Sequence, residues 1–245
     1  MCTLAVALWA DRRWPVVVAA NRDERLGRPA EGWALREGPG GLRYAAPRDA
    51  EAGGTWIGVS AGGTLAALTN FHAPFDWYPD PARRSRGELV PLALAQGSAA
   101  AARAALAALD PAAFNPFHLV VADPAGAFLW WFDGERAAVE PLGQGLHLVT
   151  EGSPHGLGPR GELVRARWPV DHSPARLREV LTLHAPPHPA ATCVHQDPRY
   201  GTRSAAVLRL PAGLAHAELY AADGRPCTSP LEDRSSLLAA LARSA

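Results

Sequence analysis

The residue with the most specific chemistry is Cys2, which directly follows Met1. Methionine aminopeptidases remove Met1 when the second residue is as small as cysteine, and the new terminus then carries a thiol and an α-amine on one residue. Such an amine has an ordinary pKa of about 7.7–8.0, so it can act as a general base near neutral pH. A terminal amine that activates its own side chain is one way to make a nucleophile. A small buried side chain is the commoner use of a cysteine here, and both interpretations stay open.

Four polar residues, Asn21-Arg22-Asp23-Glu24, follow the apolar stretch that begins at Trp14. If the first two predicted strands form a hairpin, this run lies near the start of the chain. Arg22 and Asp23 could then orient the amine and the thiol of Cys2. The alternative is a solvated loop, whose local ion pairs contribute little to stability.

Two further side chains lie at the ends of predicted strands. Asn70 ends one strand, where its amide N–H groups can point at a developing oxyanion, although asparagine is also a common turn residue. Arg203 precedes a late hairpin, where a guanidinium beside a thiol lowers the pKa of that thiol. The alternative for Arg203 is an exposed loop arginine.

A Pro-rich loop contains several side chains that can bind metals. Imidazole and thiolate groups are zinc ligands, but their spacing here matches no known zinc finger. We therefore predict a histidine-rich loop, with no metal and no cofactor. The residues concerned are His184, His188, Cys193 and His195.

Hydrophobic patterning predicts antiparallel sheets covered by helices, because the strands come in hairpins and the helices in separate runs. Residues 21–52 show no period and are predicted to be a long irregular segment. The sequences Ser85-Arg86-Gly87-Glu88 and Ser229-Pro230-Leu231-Glu232 are expected to cap helices. The predicted strands are Cys2–Ala10, Trp14–Ala20, Thr55–Ser60, Thr64–Phe71, Phe117–Ala122, Phe128–Phe132, Leu146–Thr150, Ser204–Leu210 and Ala215–Ala221, and two further helices are predicted at Ser98–Leu109 and Ser173–His184.

Composition and charge exclude several classes of function. The 245 residues include 24 basic residues, all of them arginine, and 24 acidic ones, so we expect no nucleic-acid partner. Without lysine, Schiff-base chemistry has no amine side chain to use. We predict a cytoplasmic protein without a membrane span. The three cysteines are widely spaced, no signal peptide is recognisable, and the apolar stretch at Leu89–Leu109 is broken. We expect a single domain over residues 1–245.

Six short motifs, in the same order along the chain, resemble those of the NRDE family. That family is named for its Asn-Arg-Asp-Glu run and for transport and Golgi organisation protein 2. Each motif is short, but together they are specific, and they extend from residue 2 to about residue 210. The motifs are Met1-Cys2-Thr3-Leu4, Asn21-Arg22-Asp23-Glu24, Gly54-Thr55-Trp56-Ile57-Gly58, Thr69-Asn70-Phe71, Ser85-Arg86-Gly87 and Tyr200-Gly201-Thr202-Arg203-Ser204.

The resemblance implies an α+β fold, a four-layer αββα sandwich of two antiparallel sheets of the N-terminal-nucleophile hydrolase type. It also implies a distant similarity to choloylglycine hydrolase and penicillin V acylase. By that similarity Cys2 is the nucleophile and Asp23 anchors its amine. Asn70 donates a hydrogen bond to the oxyanion, and Arg203 supports the thiolate.

Two positions depart from the pattern of the resembled proteins. Thr150-Glu151 stands where the NRDE family usually has Ser-Asn, and an ionised glutamate cannot donate a hydrogen bond to an oxyanion. Ala20 stands where the acylases have an arginine, and Arg22 could substitute for that arginine, but from a different backbone position. A second oxyanion donor would therefore have to be a backbone N–H.

Two functions fit the resemblance. The first is hydrolysis of an N-acyl or other non-peptide amide bond in a small-molecule amide or acyl substrate. The second is a non-catalytic haem-, lipid- or acyl-CoA-binding trafficking protein on the same fold, with Trp56, Phe71 and Trp77 lining an apolar pocket. The substrate is left open, as is assembly into a homo-oligomer. The residues expected to bind a ligand are Asn21, Arg22, Glu24, Trp56 and Phe71.

Overall fold

Two antiparallel β-sheets lie face to face at the centre of the molecule. The computed structural model describes residues 2–72, 79–184, 188–196 and 198–243. Strands and helices are numbered in chain order. Among the described residues, no helix is both long and apolar enough to cross a membrane.

The first sheet carries the start of the chain at its centre. Its strand order is β10-β1-β2-β11-β12-β13, so β1 lies between β10 and β2. Thr3 is paired with Thr150 on one side and with Asn21 on the other. The strands are β1 (Thr3–Leu8), β2 (Val16–Arg25), β10 (Gly145–Thr150), β11 (Tyr200–Leu210), β12 (Glu218–Ala222) and β13 (Glu232–Asp233).

The second sheet is a meander in which each strand pairs with the next one along the chain. Short turns suffice for such connections, since antiparallel neighbours need no crossover. The strands are β3 (Ala30–Glu37), β4 (Arg43–Asp49), β5 (Ile57–Ser60), β6 (Leu65–Asn70), β7 (Phe117–Asp123), β8 (Gly126–Phe132) and β9 (Ala137–Pro141).

Helices cover the outer face of each sheet. One apolar cluster joins the second sheet to α1 and α2, and another joins the first sheet to α3 and α4. Helix α5 contributes Leu238 and Leu241 to the core between the sheets. The helices are α1 (Leu89–Leu94), α2 (Ala99–Leu106), α3 (Pro159–Arg167), α4 (Pro174–Leu181) and α5 (Ser235–Ala242). The predicted αββα sandwich of two antiparallel sheets is therefore confirmed.

Alternation along the strands determines which layer each side chain enters. In β1, Leu4 and Val6 belong to the core between the sheets. Ala5 and Ala7 belong to the cluster under α3 and α4. Cys2 precedes β1 with the same parity as Leu4, so it is directed to the space between the two sheets.

Most predicted strands and helices are found near their predicted positions, but residues 21–52 were wrongly interpreted as irregular. Strand β2 continues through the polar run to Arg25, and β3 and β4 then form a hairpin. Ion pairs join the polar ends of β2 and β4, whereas Trp33, Leu35 and Ala45 of the hairpin pack into the core between the sheets. The sequence analysis also missed β9 and α3.

Two predicted helix caps are absent from the structure. Ser85 makes no side-chain capping bond, and a 3-10 turn at Arg86–Glu88 leads into α1. The sequence from Ser229 does not cap α5, because β13 intervenes and the helix begins at Ser235. By contrast, Ser98 caps α2 by accepting a hydrogen bond from the Ala101 N–H.

Asn21 connects β2 to the outer helical layer. Its Nδ2 donates to the carbonyl oxygens of Leu181, at 2.9 Å, and Thr192, at 2.8 Å. Asn21 is fully buried, so these two carbonyls have no access to water as an alternative partner. The first residue of the polar run therefore holds the end of α4 and the following loop against the sheet.

We predict that Asn21→Ala lowers the free energy of unfolding by about 2–4 kcal/mol, because two buried carbonyl groups lose their donor. Chemical denaturation followed by circular dichroism measures the change. The matched control is Gln96→Ala, since Gln96 is exposed and its amide donates only to the Leu92 carbonyl one helical turn earlier. That variant should change stability by less than about 0.5 kcal/mol. Equal effects in the two variants would contradict this role for Asn21.

Candidate active site

A cavity of about 610 Å³ opens beside Cys2 and is lined by residues from both sheets. Six of the residues expected to carry function line it. Asn21, Phe71 and Arg203 are not among its described lining residues. The six that are brought together are Cys2, Arg22, Asp23, Glu24, Trp56 and Asn70.

The Cys2 thiol lies next to the backbone of Asp23. Its Sγ is 3.9 Å from the Asp23 carbonyl oxygen, to which the thiol donates. Burial raises the pKa of this thiol, and the positive charge of Arg22 only partly opposes that effect. The thiol is therefore protonated at neutral pH, and a nucleophilic role requires a base that removes its proton.

The Asp23 carboxyl group is buried and has a partner on only one of its oxygens. Thr202 Oγ1 donates to Asp23 Oδ1 at 2.5 Å. Oδ2 has no hydrogen-bond partner among the described residues. Burial raises the pKa of Asp23 from 3.8 to about 6, although the hydrogen bond from Thr202 lowers it. A cation next to Oδ2 would satisfy this oxygen and stabilise the ionised carboxylate.

A network of ion pairs forms the wall of the cavity and connects the two sheets. Arg22 Nη2, from β2, lies 3.0 Å from Asp49 Oδ2 at the end of β4, and 3.6 Å from Glu24 Oε2. Arg28 Nε approaches the same Asp49 oxygen at 2.7 Å, and its Nη1 lies 2.7 Å from Glu51. Because the Arg22 side chain is only 8% exposed, this network also neutralises a charge that would otherwise be buried alone.

Arg86 brings a further cation to the cavity, and no role was predicted for it from the sequence. Its Nη1 donates to the Pro116 carbonyl at 3.0 Å. Burial lowers its pKa to about 10, and the Cys2 thiolate, when it forms, and the Glu24 carboxylate oppose that shift. Arg86 thus stays charged at neutral pH. The signal was present, because Arg86 belongs to the motif Ser85-Arg86-Gly87.

Two motif glycines fix the segment that carries Arg86. A Cβ on Gly54 would lie 2.7 Å from the carbonyl carbon of Gly87, which is closer than real Cβ atoms approach. The Thr55 N–H donates to the Gly87 carbonyl at 3.2 Å. Only glycine permits this approach of two backbones, so these motifs have a structural explanation as well as a place at the cavity.

Asn70 and Phe71 are adjacent in sequence but take different positions. Asn70 ends β6, half-exposed, and lines the cavity. Phe71 packs against His118, with ring centroids 4.6 Å apart. Trp77, the third aromatic residue expected at a pocket, falls outside the described residues. The aromatic pocket suggested by the sequence is thus represented at this cavity by Trp56 alone among the described aromatic residues.

Arg203 lies at a bulge in β11, and this changes which residue of its motif reaches Asp23. The register between β2 and β11 shifts between Thr202 and Ser204. Thr202 contacts the Asp23 carboxyl, whereas Arg203 lines a smaller neighbouring cavity of about 140 Å³, together with Arg22 and others. The motif led to the prediction of a role for the charged Arg203, whereas the neighbouring Thr202 hydroxyl was not predicted.

Glu151, which stands where the resembled family has asparagine, is held in an ion pair. Its Oε2 lies 2.7 Å from Arg160 Nη1, and both side chains are largely buried. Arg160 Nε also donates to the Ala191 carbonyl at 2.7 Å. The Glu151 carboxylate is not among the described lining of the cavity. The structure therefore gives Glu151 a structural partner in place of an oxyanion.

We predict that, in protein that retains Met1 and so has no Cys2 ammonium group beside the carboxylate, Asp23→Asn becomes more stable relative to the unmodified protein as pH rises. With a folded-state pKa of about 6 against 3.8, the folded protein binds more protons here than the unfolded chain. The free energy of unfolding therefore falls between about pH 4 and pH 6, by up to about 3 kcal/mol. Asparagine does not titrate and removes this loss. Denaturation curves from pH 3.5 to 7 measure the difference.

The control for this prediction is Asp233→Asn. Hydrogen bonds from the Ser235 hydroxyl and N–H lower the pKa of Asp233, so its carboxylate stabilises the fold above the ordinary carboxyl pKa, and this contribution is lost as pH falls. The variant should therefore lose stability relative to the unmodified protein as pH rises through that range, opposite in sign to Asp23→Asn. The same pH trend in both variants would contradict the assignment for Asp23.

Three solved structures illustrate the likeness of this architecture to known proteins. The N-acylethanolamine-hydrolyzing acid amidase orthologue of Caenorhabditis elegans superposes with a TM-score of 0.59, at 16% identity, over 85% of this chain and 92% of that one. Penicillin V acylase from Agrobacterium tumefaciens gives 0.53, at 14% identity, over 91% and 83%. A variant of conjugated bile acid hydrolase from Clostridium perfringens gives 0.58, at 12% identity, over 96% and 93%. At these identities the likeness establishes the N-terminal-nucleophile hydrolase fold.

Sequence comparison identifies relatives over part of the chain. The human transport and Golgi organization protein 2 homolog is 36% identical over 134 residues, which are 52% of this chain and 46% of that protein. The mouse homolog is 33% identical over the same shares. The matched region thus covers less than half the length of these relatives. The family model for Transport and Golgi organisation 2 matches residues 1–169. Because this match spans more than half of the 245 residues of this chain, the chain belongs to the Transport and Golgi organisation 2 family.

Proposed function

We propose that the protein is an amidohydrolase whose nucleophile is the thiol of an N-terminal Cys2, formed by removal of Met1. The substrate is a small molecule with a non-peptide amide bond. The observation that carries this proposal is Oδ2 of Asp23, which has no hydrogen-bond partner within the described part of the chain. A buried carboxylate oxygen without a donor is costly, and the α-ammonium group of a terminal Cys2 is a cation of the kind that would satisfy it.

In the proposed first step, the free α-amine of Cys2 accepts the thiol proton, and the thiolate attacks the carbonyl carbon of the amide. The tetrahedral intermediate then expels the amine, which takes its proton from the ammonium group. A thioester between Cys2 and the acyl group remains. Water, deprotonated by the same α-amine, hydrolyses this thioester to a carboxylic acid and restores the thiol.

Asn70 and Arg86 are assigned to the negative charge that develops during this reaction. Both line the same cavity as Cys2. The Asn70 amide is a neutral donor suited to an oxyanion. Arg86 supplies a permanent positive charge in a partly buried place, where electrostatic interactions are stronger than in water. Asp23 is assigned to the orientation of the amine.

The charges around the cavity favour a polar substrate with an anionic group. Acidic side chains partner several of the arginines, as Asp49 partners Arg22 and Arg28. Arg86, in contrast, donates its described hydrogen bond to a backbone carbonyl. A carbonyl carries no net charge, so this bond does not neutralise the guanidinium. We propose that a carboxylate or a comparable anionic group of the substrate binds Arg86.

Ligand binding without turnover is the second candidate, and the state of Glu151 favours it. Its ion pair with Arg160 leaves Asn70 without the second side-chain donor that the resembled family has. An arginine-rich cavity also fits the carboxylates of haem or the phosphates of acyl-CoA. In this alternative, Cys2 need not react, and the cavity serves transport.

We predict that Cys2→Ala abolishes amide hydrolysis, and that Cys2→Ser lowers kcat by at least about a thousandfold, because the nucleophile is lost or weakened. Alanine and serine are also small, so Met1 removal is preserved in both variants. The assay is a panel of N-acyl amides, half with a carboxylate and half neutral. Intact mass spectrometry during turnover detects the acyl group on Cys2.

Thermal unfolding of both variants checks that the fold is intact. Hydrolysis at the unmodified rate in Cys2→Ala would overturn the proposed mechanism. Saturable binding of haem or acyl-CoA, with no hydrolysis of any amide in the panel, would instead favour the second candidate. Faster hydrolysis of the carboxylate-bearing amides would support the substrate class assigned to Arg86.

A further inference from the structure

A second cluster of reactive side chains lies on the far side of the Thr202–Asp23 contact from Cys2. It combines residues from three segments: the end of the α4 region, the loop before β11, and the turn between β12 and β13. No two of its four ligand atoms are more than 4.8 Å apart. The cluster consists of His184, Cys193, His195 and Cys227.

The distances within the cluster match a tetrahedral metal site. Cys193 Sγ lies 3.5 Å from Cys227 Sγ and 3.5 Å from His195 Nε2. Cys227 Sγ lies 3.3 Å from the same His195 nitrogen. With Zn–S of about 2.3 Å and Zn–N of about 2.0–2.1 Å, tetrahedral geometry requires about 3.8 Å between sulfurs and about 3.6 Å between sulfur and nitrogen. Three of the four ligand atoms already have nearly this arrangement.

His184 can complete the set with a small movement. Its ring centroid is 4.8 Å from that of His195. His184 and His195 are exposed, whereas Cys193 is buried. The cluster thus has a buried thiol at its floor and exposed imidazoles at its rim, so an ion can reach it from solvent.

The backbone around Cys193 and His195 is held in place by hydrogen bonds. The N–H groups of Thr192 and Cys193 both donate to the Leu183 carbonyl, at 3.0 and 3.2 Å. His195 is bridged to Gly201 in β11. Metal sites depend on such supporting contacts for their geometry and affinity.

We propose that His184, Cys193, His195 and Cys227 bind one Zn²⁺ ion as a closed structural site. Two thiolates and two imidazoles in a tetrahedron suit zinc. On binding, each thiol releases its proton to solvent, and the two thiolates neutralise the charge of the ion. Four protein ligands leave no position for a substrate, so the metal stabilises the fold and takes no part in hydrolysis.

The proposed metal would fix the residue that holds Asp23. Val194 lies between the ligands Cys193 and His195. Its N–H donates to Thr202 Oγ1 at 2.8 Å, and its carbonyl accepts from the Thr202 N–H at 2.9 Å. Thr202 Oγ1 in turn donates to Asp23. Zinc would therefore hold the loop that contains Val194 in place, and Val194 in turn would fix the orientation of the Thr202 hydroxyl.

The test uses the full chain, purified under reducing conditions without chelator and with any affinity tag removed. Elemental analysis should give one zinc ion per chain, and zinc added to chelator-treated protein should raise Tm. Replacement with Co²⁺ should give thiolate-to-cobalt charge-transfer absorption and the strong visible bands of a tetrahedral site. Cys227→Ser and His184→Asn should each lose stoichiometric zinc, and circular dichroism checks that both variants fold.

The matched controls are Cys2→Ser, which removes a thiol outside the cluster, and His155→Ala, which removes an exposed imidazole. Both should keep one zinc ion per chain. Reduced, unmodified protein that takes up neither Zn²⁺ nor Co²⁺ would overturn the proposal. If Cys193 and Cys227 form a disulfide and its reduction still gives no metal binding, the proposal is overturned as well. Equal zinc content in Cys227→Ser and in the unmodified protein would also overturn it. None of these results depends on whether Cys2 is catalytic.

Discussion

The buried hydrogen bond from Thr202 to Asp23 is the contact on which the arrangement of the cavity depends. It joins β11 to β2 at the point where both strands pass the start of the chain. A carboxyl group taken out of water needs such a donor, because an unpaired one costs more than most hydrogen bonds return. Its second oxygen has no partner among the described residues, and Asp23 and Cys2 line the same cavity.

Strand β2 connects this contact to the rest of the molecule because its side chains alternate between layers. Asn21 donates to the helical layer outside the first sheet, whereas Arg22 crosses to Asp49 of the second sheet. Asp23, the next residue, contacts the neighbouring strand β11. This segment of β2 therefore ties three layers together, which explains why the polar residues Asn21, Arg22 and Asp23 are accommodated in a buried region.

The sandwich fold was predictable from the sequence, and six of the candidate residues line one cavity, but prediction failed where several segments meet. Apolar stretches and turns were sufficient to locate the hairpins, and the motifs implied the sandwich. Apolarity could not reveal that β2 continues through Asn21–Arg25, because these residues are polar and the first three of them are buried against polar partners. The bulge that places Thr202 rather than Arg203 at Asp23 has no sequence signal. The sulfurs of Cys193 and Cys227 lie 3.5 Å apart although 34 positions separate the two residues. Only the fold reveals that they are neighbours.

The intact mass of the purified native protein tests the central claim most directly. The account requires a free α-amine on Cys2, both as the base for the thiol and as the partner of the unpaired Asp23 oxygen. It predicts one species that is lighter than the full sequence by one methionine residue. A protein that keeps Met1 would contradict it, because the proposed base would then be absent from the site.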